Sequence, residues 1–410
     1  MSKSQNHFQV LIVGGGNAGL SVMNYLLRKR SDLQIGLIEP SETHYYQPAW
    51  TLVGGGAYKL ENTIRREQDY IPKEVTWIKD RVVSFEPEQN AVLTEGGKRV
   101  TYDFMVVAPG IQLDWHKIKG ATEWLGKNGV CSIYTPQTAV YTHQVIESLT
   151  GKGKAVFTAP GTPVKCGGAP MKIMFLTADN LRRRGLLKPG IVYYYSAGTV
   201  IFAVKKYAET LIKVADRYHI QRNFKHELVE IDGQNKVAYF EDRNGSEPTR
   251  VAVEFEMLHV VPPQSAPDFI KRSPLAVPDN PLGWIDVNKH TLQHNRYPNI
   301  FALGDASSLP TSKTGAAIRK QTTPLVENLL YCIDNRTTDL KQPKEYNGYS
   351  ACPIITGYGK LVLAEFDYNL TPQESFPFDQ SKERYSMWLL KREVLPRMYW
   401  WAILKGRMQG

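Results

Sequence analysis

Cys166 lies in the segment TPVKCGGAP (residues 162–170), a loop of prolines and glycines that follows the apolar run KAVFT. A structural cysteine usually lies among apolar residues, as other small buried side chains do. This thiol instead lies beside Lys165 and two glycines, and a neighbouring positive charge favours the nucleophilic thiolate. The residue types around this cysteine therefore predict a reactive thiol rather than a structural one.

A redox dithiol needs a second cysteine, and the chain has three others. Cys352 precedes a proline in the turn-rich stretch NGYSACPIITGYG and is the best candidate. Cys332 follows an apolar helical pattern in ENLLYCIDN, which favours a place in the core. Cys131, in KNGVCSIYT, is ambiguous. Four cysteines without a CxxC pair predict neither a disulfide-stapled scaffold nor a metal site.

The elements that must position these thiols start near the N-terminus. The apolar run Val10–Val13 meets Gly14, Gly16 and Gly19 in a GxGxxG arrangement, and an apolar pattern of helical period follows. Between a strand and a helix, such glycines let a pyrophosphate lie on the helix N-terminus. Glu39, at the end of the next strand QIGLIEP, is the expected acceptor for ribose hydroxyls. An adenine dinucleotide is predicted to bind here.

Two later segments indicate that this dinucleotide is FAD. In RYPNIFALGDASSLPTSKTG a strand ends at Gly304 and Asp305, and a helix is predicted from about Lys313. This resembles the second FAD contact of two-dinucleotide-domain flavoproteins, where the aspartate binds the ribityl chain and the helix N-terminus stabilises negative charge on the reduced ring. VVAPGIQLD, with Ala108 and Gly110, resembles the returning strand and turn of the same proteins.

A second strand–GxGxxG–helix unit, which would bind NAD(P)H, is missing from the middle of the chain. The corresponding strand is KAVFT, and its turn reads APGTPVKCGGAP. Pro160, Pro163 and Pro170 would obstruct a glycine-rich grip on phosphates. The position of the turn is kept while its chemistry is lost, so Cys166 is expected about where a nicotinamide would approach the flavin.

These residues are similar to those of the sulfide:quinone oxidoreductases, within the two-dinucleotide-domain disulfide reductase superfamily, and most of all to the branch that includes the mitochondrial enzyme. The similarity runs nearly end to end, through IEPSETHYYQPAWTLVGGG, TPVKCGGAPMKIM, GDASSLPTSKT and CPIITGYGKLVLAEFDY. It implies that Cys166 and Cys352 are the redox cysteines, on the face of FAD opposite the quinone. It also implies FAD contacts by the residues Asn17, Ala18, Glu39, Gln47, Val82, Asp305 and Lys313.

The resemblance further implies an activity. Hydrogen sulfide would be oxidised through a disulfide or trisulfide bridge and a persulfide, and two electrons would pass through FAD to ubiquinone or menaquinone. The sulfane sulfur would go to glutathione, coenzyme A, sulfite or a second sulfide. Lys165 and the net positive charge are expected to favour thiolates and attract HS⁻. Cys131 matches a third cysteine of many bacterial homologues, which leaves two or three redox thiols.

Three alternatives stay open. An NAD(P)H-dependent flavoprotein, such as a type 2 NADH:quinone oxidoreductase or a coenzyme A-disulfide reductase, is disfavoured by the missing second fingerprint. A flavin-bearing sulfide sensor without turnover belongs to a different class and would lack fast quinone reduction. A flavocytochrome-type sulfide dehydrogenase predicts an export signal and a haem partner, and the N-terminus MSKSQNHF suggests neither.

The C-terminal segment, residues 385–410, is predicted to associate with a membrane surface, since quinones are lipids. The segment, interrupted at Pro396, has the basic residues Lys391, Arg392, Arg397, Lys405 and Arg407 between apolar ones, a pattern typical of an interfacial helix. The alternative is packing on the core or a dimer contact. The apolar members are Trp388, Leu389, Leu390, Leu395, Met398, Tyr399, Trp400, Trp401, Ile403 and Leu404.

Bulk composition agrees with a globular enzyme. The chain has 410 residues, 42% hydrophobic and 22% charged, and its formal charge of +10 is diffuse, so nucleic acid is not an expected partner. No run is long and apolar enough to span a bilayer. The predicted location is peripheral, on the cytoplasmic face of a bacterial inner membrane, and a homo-oligomer is possible.

The predicted fold class is α/β, with two Rossmann-like dinucleotide-binding domains of FAD/NAD(P)-binding type and a C-terminal membrane-associating region. Residues 1–115 and 296–335 are expected to form the FAD-binding domain in two parts. Residues 116–295 would form the second Rossmann-like domain without an NAD fingerprint. Residues 336–410 would carry the second redox cysteine and the amphipathic segment.

Overall fold

A computed structural model describes residues 6–408 of the chain. The strands are β1 (His7–Val13), β2 (Ile35–Ile38), β3 (Thr43–Tyr45), β4 (Ile64–Arg66), β5 (Thr76–Ile78), β6 (Val82–Glu86), β7 (Ala91–Thr94), β8 (Arg99–Val107), β9 (Gln112–Leu113), β10 (Val130–Cys131), β11 (Ala155–Ala159), β12 (Val192–Ser196), β13 (Gln221–Phe224), β14 (His226–Asp232), β15 (Val237–Asp242), β16 (Thr249–Glu254), β17 (Met257–His259), β18 (Gln264–Ser265), β19 (Ile300–Ala302), β20 (Ser350–Gly357) and β21 (Lys360–Phe366). The α-helices are α1 (Asn17–Lys29), α2 (Trp50–Gly54), α3 (Ala121–Trp124), α4 (Pro136–Ser148), α5 (Ala169–Arg183), α6 (Lys205–Arg217), α7 (Asp268–Lys271), α8 (Gly315–Asn335), α9 (Tyr385–Leu389) and α10 (Leu395–Met398).

The first sheet holds the glycine turn. Its strand order is β5-β2-β1-β8-β7-β6, and β19 pairs in parallel with β8 after the chain has left the sheet and returned. Strands β5, β2, β1, β8 and β19 are parallel, while β6 and β7 form an antiparallel extension. The four residues of β2 are all buried, as expected for a parallel sheet covered on both faces.

A second parallel sheet follows in the middle of the chain, with strand order β10-β17-β11-β12-β13. Its core contains aromatic side chains from the central strand and from α5, including Phe157 and Phe175. Strands β14, β15 and β16 form a separate antiparallel sheet. The loop that carries Cys166 connects β11 to α5, and therefore leaves the carboxyl end of a central parallel strand, where open α/β sheets bind their ligands.

The hairpin β20–β21 brings the second cysteine to this loop. Cys352 pairs with Ala364 in an antiparallel ladder, and β20 packs against α5. The sequence analysis placed Cys352 in a turn-rich stretch and not within an apolar run. That placement is wrong, because Cys352 lies inside a strand and is 2% exposed. The glycines and prolines that suggested turns are accommodated at the ends of the hairpin and along its edge.

The C-terminal segment is helical from Tyr385 to Ile403 and is not interrupted at Pro396, contrary to the sequence prediction. Proline removes one backbone donor from a helix, and wider turns can absorb that loss. Here α9 and α10 alternate with the π-helical turns Leu390–Val394 and Tyr399–Ile403. Among residues 6–408, no helix has both the length and the apolar character required to cross a membrane. The predicted α/β class is confirmed.

Candidate active site

The glycine turn between β1 and α1 requires its glycines for steric reasons. Gly14 has φ of +100°, and a Cβ there would lie 2.4 Å from the carbonyl oxygen of Ala108. A Cβ on Gly19 would lie 1.8 Å from the Gly14 carbonyl oxygen, so the first turn of α1 can approach the strand only without a side chain. Gly16 directly precedes the helix and faces open space, which leaves room for a bound phosphate.

The predicted FAD residues converge at the carboxyl edge of the first sheet. The Glu39 carboxylate accepts a hydrogen bond of 2.7 Å from the backbone N–H of Gly15. Asn17 and Ala18 form the first turn of α1, and Ala18 lies 3.3 Å from where a Cβ on Gly304 would be. Val82 begins β6 and Ala108 and Gly110 follow β8, all in the first sheet, whereas Gln47 begins a short 3-10 turn outside that sheet.

Asp305 and Lys313 provide the charged part of this surface. The Asp305 Oδ1 atom is buried and has no hydrogen-bond partner among residues 6–408, and burial raises the pKa of the carboxyl group. The Lys313 ammonium donates to the Ser307 carbonyl oxygen at 3.0 Å and lies 3.8 Å from the centre of the Trp284 ring. Burial lowers the pKa of Lys313 to about 8. An unpartnered acceptor beside an open glycine cradle fits the hydroxyl-rich ribityl chain of FAD.

Cys166 is held in a strained backbone conformation. Its φ of +55° lies in the left-handed region that a cysteine seldom adopts. The backbone N–H donates to the Lys313 carbonyl oxygen at 2.8 Å, and the carbonyl accepts from the N–H of Ala169 at 2.7 Å. Such strain persists where the surroundings enforce it, typically at functional sites. These two bonds fix the thiol between the start of α5 and the FAD-binding surface.

The two cysteine sulfurs are in contact. Cys166 Sγ lies 3.7 Å from Cys352 Sγ, and the Lys172 ammonium donates to Cys166 Sγ at 3.0 Å. The hydrogen bond from Cys352 and the charge of Lys172 lower the pKa of Cys166, while donation to that thiolate raises the pKa of Cys352. Although burial opposes it, the neighbouring thiolate raises the pKa of Lys172. The site therefore holds one thiolate, one thiol and a buried ammonium ion.

The Lys165 ammonium is engaged by residues other than the two cysteines. Its ammonium donates to Gln47 Oε1 at 2.7 Å and lies over the rings of Trp50 and Tyr134, at 5.4 and 5.7 Å from their centres. The cation at the reactive sulfur is Lys172, one turn into α5. Lys165 is thus not the cation that is hydrogen-bonded to the reactive sulfur, and its expected effect on the thiolates remains a prediction.

A second buried lysine reaches the site from the C-terminal segment. Lys391 is 3% exposed and donates to the Pro48 carbonyl oxygen at 2.9 Å. Burial and the charge of Lys172 lower the pKa of Lys391 to about 7, although the thiolate partly offsets this. Sequence reasoning assigned this residue to a membrane surface. Its spacing from Met387 and Trp388 places it on the same helical face as these two buried residues, but the spacing alone does not say whether that face packs on protein or on lipid.

The other two cysteines lie in apolar surroundings. Cys332 is buried in α8, as expected for a core residue, and burial raises its pKa to about 11. Cys131 is also fully buried, in β10, and burial raises its pKa to about 12. Neither thiol favours the thiolate that nucleophilic chemistry requires.

The position of a second nucleotide turn is occupied by protein groups. Nine residues, 160–168, separate β11 from α5, whereas three separate β1 from α1. The backbone N–H of Gly161, next to the strand end, donates to Glu227 Oε1 at 3.0 Å. The other carboxylate oxygen of Glu227 pairs with Arg243. A carboxylate at this position would repel a pyrophosphate, so the loop is suited to presenting Cys166 and unsuited to holding NAD(P)H.

A thiol pair beside an FAD-type nucleotide fold is characteristic of the flavoprotein disulfide oxidoreductases. Consistent with this class, the family model described as "Pyridine nucleotide-disulphide oxidoreductase" matches residues 8–147. Over 409 residues the chain is 47% identical to "Sulfide:quinone oxidoreductase, mitochondrial" of Dictyostelium discoideum, covering 100% of this chain and 88% of the relative. It therefore belongs to the sulfide:quinone oxidoreductase family, whose cofactor is FAD.

Other similarities agree. The protein of the same name from Mus musculus is 42% identical, covering 99% of this chain and 88% of the relative. The solved structure of the sulfide:quinone oxidoreductase from Aquifex aeolicus superposes with a TM-score of 0.79 at 19% identity, covering 98% and 92% of the two chains, and so shows the shared fold. The two relatives are named as mitochondrial, which gives no support to the predicted location at a bacterial inner membrane.

Proposed function

We propose that this protein oxidises hydrogen sulfide and passes two electrons through FAD to a membrane quinone. The observation that carries the proposal is the contact of Cys166, Cys352 and Lys172. The contact distance of 3.7 Å between the sulfurs compares with about 2.05 Å in a disulfide, so a direct bond or one intervening sulfur can close the pair. When bound, FAD accepts an electron pair and releases it to the quinone.

The asymmetry between the two cysteines supports different roles for them in the proposed cycle. In thiol–disulfide exchange, the sulfur with the lower pKa leaves faster. In a directly bonded disulfide, HS⁻ would attack Cys352 and form a persulfide there, while the S–S bond breaks and Cys166 leaves as thiolate. Lys172 stabilises the departing charge. Cys166, which is hydrogen-bonded to the Lys313 backbone, is the sulfur on the FAD side.

A small nucleophile then removes the sulfane sulfur from Cys352. With a thiol RSH as acceptor, the balance is H₂S + RSH + quinone giving RSSH + quinol, in which sulfide loses the two electrons that the quinone gains. Glutathione, coenzyme A, sulfite and a second sulfide are the acceptors that this chemistry permits. Lys391, with a pKa of about 7, would be able to gain or lose a proton near neutral pH.

Anaerobic addition of sulfide tests the proposal directly. We expect the purified holoenzyme to bleach its flavin absorption and to develop a long-wavelength band from the Cys166 thiolate, and we expect quinone to restore the oxidised spectrum. NADH serves as the control and should leave the flavin oxidised, because Glu227 occupies the second nucleotide turn. Rapid bleaching by NADH with none by sulfide would refute the assignment.

We further propose that the C-terminal helix meets the lipid surface through its exposed apolar side chains. The sequence interpretation of ten lipid-facing residues is too broad, since Trp388, Tyr399, Trp400 and Leu404 are buried in the protein. Of the ten, Trp401 is exposed, with an exposed fraction of 66%, and the other five are partly buried. Val394, which was not among the ten, is 41% exposed, and the basic residues Arg397 and Arg407 are exposed nearby. Apolar side chains among basic ones are typical of interfacial helices.

The double variant Val394→Ser/Trp401→Ser is expected to lower partitioning onto anionic lipid vesicles by about tenfold, because it removes the apolar area available to the bilayer. Vesicle co-sedimentation of the purified holoenzyme measures this. The matched control is Val200→Ser, which removes an apolar side chain that is 58% exposed elsewhere on the surface. Equal sedimentation of the double variant and the wild type would show that this helix is not the lipid contact.

A further inference from the structure

A buried hydrogen-bonded chain links the C-terminal helix to the glycine turn. His44 Nδ1 lies 2.9 Å from Glu67 Oε2, and His44 Nε2 lies 2.6 Å from the hydroxyl of Tyr399. The three side chains are 4%, 2% and 5% exposed. Buried polar groups persist where they are paired, so a chain this well enclosed has a specific arrangement of donors and acceptors.

The chain uses both ring nitrogens of His44, one toward the Glu67 carboxyl group and one toward the Tyr399 hydroxyl. Burial raises the pKa of Glu67, and the hydrogen bond to His44 opposes that rise. The chain ends at Glu67 with one oxygen left over, and that oxygen, Oε1, is buried without a hydrogen-bond partner among the described residues.

The free oxygen of Glu67 faces the nucleotide turn. A Cβ on Gly15 would lie 2.7 Å from Glu67 Oε1 and 2.7 Å from Cγ of Glu39. The two carboxylates therefore lie against the same glycine, two residues before the helix that receives the pyrophosphate. Glu39 is the acid that the GxGxxG fingerprint assigns to the ribose, and Glu67 lies beside it with an acceptor still open.

We propose that Glu67 is a second ribose-binding carboxylate for FAD, positioned by His44 and Tyr399. A carboxylate repels the phosphates, whereas ribose hydroxyls are neutral donors and match an open acceptor. Because Tyr399 belongs to the C-terminal helix, docking of that helix orients a residue of the FAD site. Glu67 would be the ligand contact, and the histidine and the tyrosine are positioning residues that act through it.

Reconstitution with ribose-modified FAD tests the contact. In Glu67→Gln, the amide oxygen remains with His44 and the NH₂ group replaces the open acceptor, so we expect FAD affinity to fall by at least about tenfold. FAD analogues that lack the 2′- or the 3′-hydroxyl of the adenosine ribose should each be compared with FAD in both proteins. For at least one analogue, the loss of affinity relative to FAD should be severalfold larger in the wild type than in the variant.

The same analogues decide the outcome, because a purely structural effect of the substitution would leave their relative affinities unchanged. If each analogue loses the same factor of affinity, relative to FAD, in the wild type and in Glu67→Gln, the proposed ribose contact is overturned. Glu42→Gln, a change at an exposed carboxylate, is the matched control and should behave as the wild type. Since these measurements use no sulfide or quinone, their failure would leave the proposed activity untouched.

Tyr399→Phe tests the positioning role. It removes only the hydroxyl that orders the chain, and we expect FAD to dissociate severalfold faster while the melting temperature of the apoprotein changes little. Tyr102→Phe is the control, since it removes a buried hydroxyl of the same domain that has no hydrogen-bond partner among residues 6–408. Equal FAD release from the two variants would refute a role for Tyr399 in the site.

Discussion

Serine at either Cys166 or Cys352 is expected to lower sulfide-dependent quinone reduction by roughly a thousandfold or more, because each sulfur is a bonding partner in the proposed cycle and no other described thiol contacts the pair. The two variants should lose activity to similar extents, since residues that act as one unit are not additive. The measurement is steady-state reduction of a soluble quinone by the FAD-loaded variants. Bound FAD, quantified by absorbance, verifies that the site is intact.

Cys332→Ala is the matched control, because it removes a buried thiol from α8 that lies outside the site. It should keep most of the activity. Cys131→Ala answers the question of a third redox thiol, and its burial in β10 leads us to expect a rate near that of the wild type. Either serine variant turning over at more than a tenth of the wild-type rate would refute the assignment of the pair.

The second large effect is expected at Lys172. Replacement by methionine keeps the length of the side chain and removes the charge that lies 3.0 Å from Cys166 Sγ, so the pKa of the thiol should rise. A cysteine with an ordinary pKa is only a few per cent thiolate at pH 7. We expect the rate at pH 7 to fall some tens of times and to recover as the pH is raised above 9.

The direction of this pH dependence follows from the lowered pKa of Cys166. In the wild type the thiolate is already formed at neutral pH, so the rate is expected to depend weakly on pH there and to fall only under acidic conditions. In Lys172→Met this fall of the rate should begin at a higher pH. Lys172→Arg should restore most of the neutral activity, and Lys188→Met, at an exposed position, should leave the profile unchanged. An unshifted profile for Lys172→Met would contradict the role of this lysine.

The sequence was sufficient for the parts of the site that local chain geometry encodes. The glycine turn is recognisable because Gly14 and Gly19 each occupy a position where a Cβ would collide with backbone. Cys166 was found because a thiol between glycines and prolines is out of place in a core. Cys352 was the best candidate for its partner, and the family resemblance implied the pairing, which rests on a hairpin whose register no local pattern reveals.

The lysines of the site were missed for a different reason. Lys172 and Lys391 lie in apolar helical segments, and a sequence pattern does not say whether an isolated cation there is exposed to water or faces a buried thiolate. The C-terminal helix illustrates the same limit. Its apolar stripe has two possible partners, protein and lipid, and only the fold shows that Trp400 faces the protein while Trp401 faces outward.

The return of the chain to its first sheet has a consequence for biosynthesis. Strand β19 completes that sheet beside β8, and the whole of the second sheet is made between them. On a ribosome, the glycine turn therefore emerges early but acquires Asp305 and Lys313 only after the middle domain has emerged. Cys352 emerges later still. Domains fold largely as units during synthesis, so FAD can be enclosed, and the thiols brought together, only near the end of translation.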